Sequence, residues 1–148
     1  MMRRWRLASG LLVCAAILSA CRSVPDPAAP QTNCGATDSR IGWVAELRTW
    51  MHGVRGTARI VDDCTIVIEH FYFDGIGLDV RVIGVHGDDY WNGIPLTSDI
   101  RRIGGYTDAT LTITLPDGVT LDDVPRISIS CVPVGANFGD GTFAPRAQ

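Results

Sequence analysis

Between Ala109 and Leu115 the character of the side chain changes at every step. Leu111, Ile113 and Leu115 fall on one side, and Thr110, Thr112 and Thr114 on the other. A period of two belongs to a β-strand with one face on a core and the other toward water. Shorter β-favouring runs recur along the chain: the Trp43–Leu47 half of Ile41–Trp50, Thr57–Val61, Cys64–Phe73, Asp79–Val85 and Arg126–Val132. On Cys64–Phe73, the longest, alternation places Cys64, Ile66, Ile68 and His70 on one face and Thr65, Val67, Glu69 and Phe71 on the other. The runs are punctuated by His52-Gly53, Asp62-Asp63, Asp74-Gly75-Ile76-Gly77, Gly104-Gly105 and Pro116-Asp117-Gly118, residues that turns select. Gly87–Asp99 reads as a long loop, Leu121–Pro125 as a connection of one helical turn, and Asn137-Phe138-Gly139-Asp140-Gly141 as a turn after the last strand. No stretch sustains the period of a long amphipathic helix. The pattern predicts an all-β fold: a small antiparallel β-sandwich or partly closed barrel of about 6–8 strands.

The first twenty residues follow a different logic. Arg3, Arg4 and Arg6 precede an apolar stretch, Leu7–Leu18, that is too short to span a bilayer as a helix, which needs ~20 residues. It closes on Leu18-Ser19-Ala20-Cys21, the order of a bacterial lipobox. The expectation is a lipoprotein signal peptide over residues 1–20, with Cys21 acylated after cleavage. Several acyl chains on one cysteine tether a protein to a membrane without spanning it. Arg22 in place of an acid after Cys21 is the pattern of lipoproteins sorted to the outer membrane. The localisation read here is therefore the bacterial cell envelope, lipid-anchored, at the outer membrane. Residues 21–33 hold the lipidated cysteine and a linker with Pro25, Pro27 and Pro30, which runs extended. Residues 34–148 are left as one β domain.

Cleavage removes three arginines and takes the formal charge from −3 to about −6, and no lysine occurs anywhere in the chain. A net acidic surface argues against nucleic acid or anionic lipid as the main partner. The membrane, through the lipid anchor, and a protein at the envelope are the partners expected. Cys34, Cys64 and Cys131 remain in the domain, and an exported chain keeps disulfides. Cys34–Cys64 would close a loop of about 30 residues and stabilise by roughly 3–4 kcal/mol. Cys64–Cys131 is the other pairing, since both sit on apolar strand faces. Cys131, in phase with Ile127 and Ile129, points inward, and no cation adjoins it, Arg126 being five residues away.

His52, His70 and His86 lie far apart and form no metal-ligand spacing, so no metal site is expected. Asp74 and Asp79 bracket a glycine-rich turn, where Asx capping is the commoner use and calcium binding the rarer. Ser128 and Ser130 lie opposite Cys131 without an evident base. Nucleophile elbows, phosphate loops, dinucleotide fingerprints and Cys-x-x-Cys pairs are all missing, which gives hydrolase chemistry no foothold and makes a stand-alone enzyme the less expected reading.

Several of these segments, taken in order, resemble the DM13 domain. They are Trp50-Met51-His52-Gly53-Val54-Arg55-Gly56, Val61-Asp62-Asp63-Cys64-Thr65-Ile66, and Phe71-Tyr72-Phe73-Asp74-Gly75-Ile76-Gly77-Leu78-Asp79-Val80. Tyr106, Leu115-Pro116-Asp117-Gly118, Ile127-Ser128-Ile129-Ser130-Cys131 and Asn137-Phe138-Gly139-Asp140 continue the likeness. It runs from Gly42 to Phe143. The resemblance implies a small extracytoplasmic β domain acting in electron transfer or oxidative modification. It implies for Cys131 the role of a naked redox thiol or a cofactor ligand, with haem the most obvious prosthetic group and the cofactor itself not specified. The chain departs from the family pattern in carrying Ser130 where Trp usually precedes the cysteine, and Gly77-Leu78-Asp79 where Gly-Pro-Asp is usual. Under the resemblance, Cys34 pairs with Cys64 and Cys131 stays free. The alternative is a non-catalytic binding or structural module in which the cysteines stabilise the fold and exposed Tyr90 and Trp91 touch a partner.

Overall fold

The computed structural model describes residues 34–147. The expected signal peptide, lipidated Cys21 and linker lie outside the described residues. Among the described residues nine strands form two antiparallel sheets. The first sheet has the order β1 (Val44–Glu46), β3 (Arg55–Asp62), β4 (Thr65–Phe73), β7 (Tyr106–Thr114). The second has the order β2 (Arg48–Thr49), β9 (Ala136–Thr142), β8 (Arg126–Cys131), β5 (Val80–Val85), β6 (Ile94–Pro95). The chain passes from one sheet to the other at Leu47, between β1 and β2. This is the sandwich of the two architectures expected, and two of the nine strands are only two residues long. No helix among the described residues is long and apolar enough to cross a membrane.

The alternation read from the sequence builds the core. Ile60, Ile66, Ile68 and Ile113 from the first sheet meet Val80, Val82, Ile127 and Ile129 from the second in one buried cluster. Burying a side chain of this size stabilises by about 1.5–3 kcal/mol. The hairpin at Asp62-Asp63 forms as expected between β3 and β4. Leu121–Asp123 is the expected helical turn, of 3-10 type, with Asp123 capping Thr120.

Two local expectations are corrected. His70 does not share a face with Ile66 and Ile68. It adopts φ 51, the register slips between Ile68 and Phe71, and its side chain is exposed. The slip shifts the phase, so Phe71 and Phe73 join the core instead. Asn137–Gly141 is no turn either; it lies within β9. The reversal occurs one step earlier, at Val132–Val134 and the left-handed Gly135. Gly139 and Gly141 are needed for close packing. A Cβ on Gly139 would stand 2.4 Å from Val54 Cγ1, and one on Gly141 would stand 2.6 Å from the Glu46 carbonyl oxygen.

Candidate functional site

β8 ends at Cys131, whose thiol lies on the inner face with Ile127 and Ile129 and is 3% exposed. Across the sheet Cys131 pairs with Val80 of β5 and Ala136 of β9. The next amide, Val132 N–H, donates to the Asp79 carbonyl at 2.9 Å. Cys34 and Cys64 are disulfide-bonded, with Cα atoms 5.6 Å apart, and Cys131 is the free cysteine of the described residues. Of the two pairings left open by spacing, the structure forms the one that ties the N-terminal segment to the β3–β4 hairpin. Asp62 lies within 4.8 Å of the two sulfurs, which the disulfide has already taken.

The surroundings of Cys131 come from two loops distant in sequence. Asp79 pairs with Arg81, both hydrogen bonds at 2.9 Å. Asp99 accepts from Arg101 Nε at 2.7 Å and from the Val80 amide at 3.1 Å, and Arg101 Nη1 donates to the Gly77 carbonyl at 3.1 Å. The Arg101 hydrogen bond is the main reason the Asp99 pKa falls to about 2. Arg101 is held above its usual range first by that hydrogen bond, then by the charges of Asp99 and Asp79, with Cys131 the last contributor. Arg101 and Asp99 are thus tied to the Gly77–Val80 segment, whose Val80 pairs with Cys131. Nothing in the sequence announced this, because Arg101 stands thirty residues away and reaches Cys131 only through the pairing of β5 with β8.

Beside this cluster lies a second. Asp74 accepts from the Ile76 amide at 2.9 Å, the Asx cap expected of it, and its other oxygen meets His52 Nδ1 at 2.9 Å. Burial pushes the Asp74 pKa up, but hydrogen bonds from His52 and Ile76 outweigh it and leave the group lowered. With Asp74 on His52 and Asp79 on Arg81, the two carboxylates do not converge on a calcium site. The His52 ring packs 4.2 Å from Phe138 and edge-on to Phe73 at 6.4 Å. The loops enclose two adjoining depressions. The larger, ≈ 570 Å³, is lined by Ile76, Asp99, Arg101, Arg102 and Ile103 among others. The smaller, ≈ 240 Å³, is lined by His52, Arg55, Tyr72 and Tyr106 among others, and Asp74 and Gly104 belong to both. Cys131 lines neither. A macrocycle seated in either depression would find no cysteine ligand, so these residues do not fit haem held by Cys131.

Ser128 and Ser130, placed opposite Cys131 by alternation, are fully buried and hydrogen-bonded to each other at 2.8 Å. Tyr90 is not simply exposed: its hydroxyl donates to Asp140 at 3.0 Å and accepts from Arg126 at 3.2 Å. Trp50 Nε1 reaches the other Asp140 oxygen at 2.6 Å. Trp91 is exposed as expected, at 70%.

Residues 46–143 match the family model described as electron transfer DM13, a span containing Cys131, Arg101, His52 and Asp74. Protein Skeletor of Drosophila melanogaster, isoforms B/C, is 31% identical over 149 residues, a match covering 95% of this chain and 17% of the relative. Its isoforms D/E are 31% identical over the same length, covering 95% of this chain and 9% of the relative. The chain therefore spans less than a fifth of the curated relatives it matches. No solved structure matches.

Proposed function

The chain belongs to the DM13 electron-transfer family, and from that premise we propose that it is an envelope lipoprotein, anchored through Cys21, that serves electron transfer or redox modification through Cys131. One observation carries the reading: the disulfide engages Cys34 and Cys64 and leaves Cys131 free, in the apolar core. A thiol so enclosed meets no second thiol, which closes the route to disulfide exchange. One-electron exchange through a thin protein layer needs no direct access to sulfur.

Voltammetry of the full chain tests this. A reversible wave that disappears in Cys131→Ala, with the circular dichroism unchanged, is the expected result; a wave that survives the substitution removes Cys131 from the role. For the anchor, Cys21→Ser is expected to abolish incorporation of labelled acyl chains and release the protein from membranes. Labelling that persists in the variant would rule out Cys21 as the attachment point. The second reading, a binding module, rests on the exposed Trp91 ring. It gains ground if Cys131→Ala is silent and Trp91→Ala alone impairs function in cells.

A further inference from the structure

At the end of the sandwich that carries the two depressions, three aliphatic side chains stand out in water. Ile76 is 62% exposed, Leu78 64% and Ile103 106%, on the two loops that follow β4 and precede β7. Exposed aliphatics gathered at one end of a soluble fold mark a contact surface. The loops are braced in this arrangement. Gly105 N–H donates to the Arg102 carbonyl at 3.0 Å, Tyr106 Oη donates to the Ile100 carbonyl at 2.9 Å, and Arg101 ties the two loops together at Gly77. A Cβ on Gly75 would stand 2.1 Å from the Arg102 carbonyl oxygen, so the loops are in backbone contact.

The charges at this end decide what it faces. Arg81 and Arg101 are matched by Asp79 and Asp99, and Asp74 is matched by His52. Arg55 and Arg102 form no ion pair among the described residues. Each is instead laid over a tyrosine ring, Arg55 on Tyr72 at 3.6 Å and Arg102 on Tyr106 at 4.5 Å, which holds its guanidinium at the rim of the depressions. Two uncommitted guanidiniums beside projecting aliphatic tips form a chemical pair. The first suits phosphate oxygens, and the second suits the acyl boundary just beneath them.

We propose that this end is a membrane-docking face, with Ile76, Leu78 and Ile103 entering the interface of an anionic phospholipid bilayer and Arg55 and Arg102 holding its headgroups. The domain as a whole is acidic, but the carboxylates at this end, Asp74, Asp79 and Asp99, are each held by His52, Arg81 or Arg101, so the attraction is local to Arg55 and Arg102. Docking in this pose turns the Val80–Cys131 end of the β5–β8 pair toward the bilayer. The inference does not depend on Cys131 having a redox role.

The test uses tryptophan emission from the full chain on vesicles of phosphatidylcholine with phosphatidylglycerol, their acyl chains brominated as quenchers. Ile103→Trp is compared with Asp117→Trp, which lies in the turn after β7 at the opposite end of the sandwich. The emission added at position 103 is expected to be quenched and that added at 117 not. Arg55→Gln with Arg102→Gln is expected to lower the docked-to-undocked ratio by roughly thirtyfold, from ~1 kcal/mol per arginine near an anionic surface. Cys131→Ala is expected to leave the quenching unchanged, which separates this result from the electron-transfer reading. Equal quenching at 103 and 117, or quenching indifferent to phosphatidylglycerol and to both arginines, overturns the proposal. So does protection of position 103 by a protein partner while vesicles have no effect.

Discussion

Cys131 is a core residue whatever else it does, and its replacements separate packing from polarity. Cys131→Ala removes one sulfur from a site 3% exposed and is expected to cost about 1 kcal/mol by lost packing. Cys131→Ser keeps the shape but buries a hydroxyl in the apolar cluster, with Val80 as its cross-strand neighbour, and is expected to cost more, about 1–3 kcal/mol. Urea unfolding of both variants checks the order. Equal costs would mean that the site is wetter than its burial indicates. His70 supplies a residue-scale prediction in pH. The Asp108 hydrogen bond at 2.7 Å, then its charge, raises the His70 pKa above the ordinary value. The sign follows: stabilisation is fully present below the unfolded pKa of ~6.5 and is lost as pH rises through the folded value. By NMR, His70 is expected to titrate above ~6.5, and Asp108→Asn to lower it. The inward phase of Cys131 was legible because nothing interrupts Ile127–Cys131. The phase of His70 was not, because one left-handed residue reverses the alternation and no histidine advertises a positive φ.

At the scale of elements, the disulfide is a clasp between the N-terminal segment and the β3–β4 hairpin. Asp63 reinforces it, accepting from the amides of Thr37 and Asp38 at 2.8 Å each and from the Thr37 hydroxyl at 2.8 Å. Cys34→Ser with Cys64→Ser, a separation of 30 residues, is expected to lower stability by about 3–4 kcal/mol in the chain-entropy model. The loss should begin locally, with faster hydrogen exchange at Thr37 and Asp38 before the β8 amides change. Uniform acceleration across both sheets would show instead that the clasp guards the whole fold. Spacing alone left this pairing open against Cys64–Cys131, since both partners of Cys64 suit an exported β domain. β9 was illegible for a related reason. Its glycines carry the composition of a turn, yet they serve the close approach of Val54 and of the Glu46 carbonyl from segments about ninety residues earlier. Local signals describe a strand's own faces well and say little about what will be laid across it. Arg101 escaped notice on the same ground.

The whole molecule draws its charge order from carboxylates held ionised. Asp38 and Asp99 are brought down to about 2, first by hydrogen bonds from Arg40 and Arg101. Asp63, Asp79, Asp89 and Asp123 are lowered chiefly by hydrogen bonds from the Asp38 amide, Arg81, Asn92 and the Thr120 amide. In Asp140, burial pushes upward most strongly, but Trp50, Asn137, Tyr90 and Arg126 together outweigh it. All these shifts act in one direction. As pH falls below ~3.9, the unfolded chain takes up protons that the folded chain refuses, so stability present above that value is lost progressively toward pH ~2. The expected result is a urea midpoint clearly lower at about pH 3 than at about pH 7. Asp99→Asn should narrow the difference by weakening the protein at about pH 7 while changing it little at about pH 2. Because most of these groups are at the surface, salt should narrow it as well. A midpoint unchanged between the two pH values would mean that the hydrogen bonds at Asp38, Asp99 and Asp140 add nothing to folding.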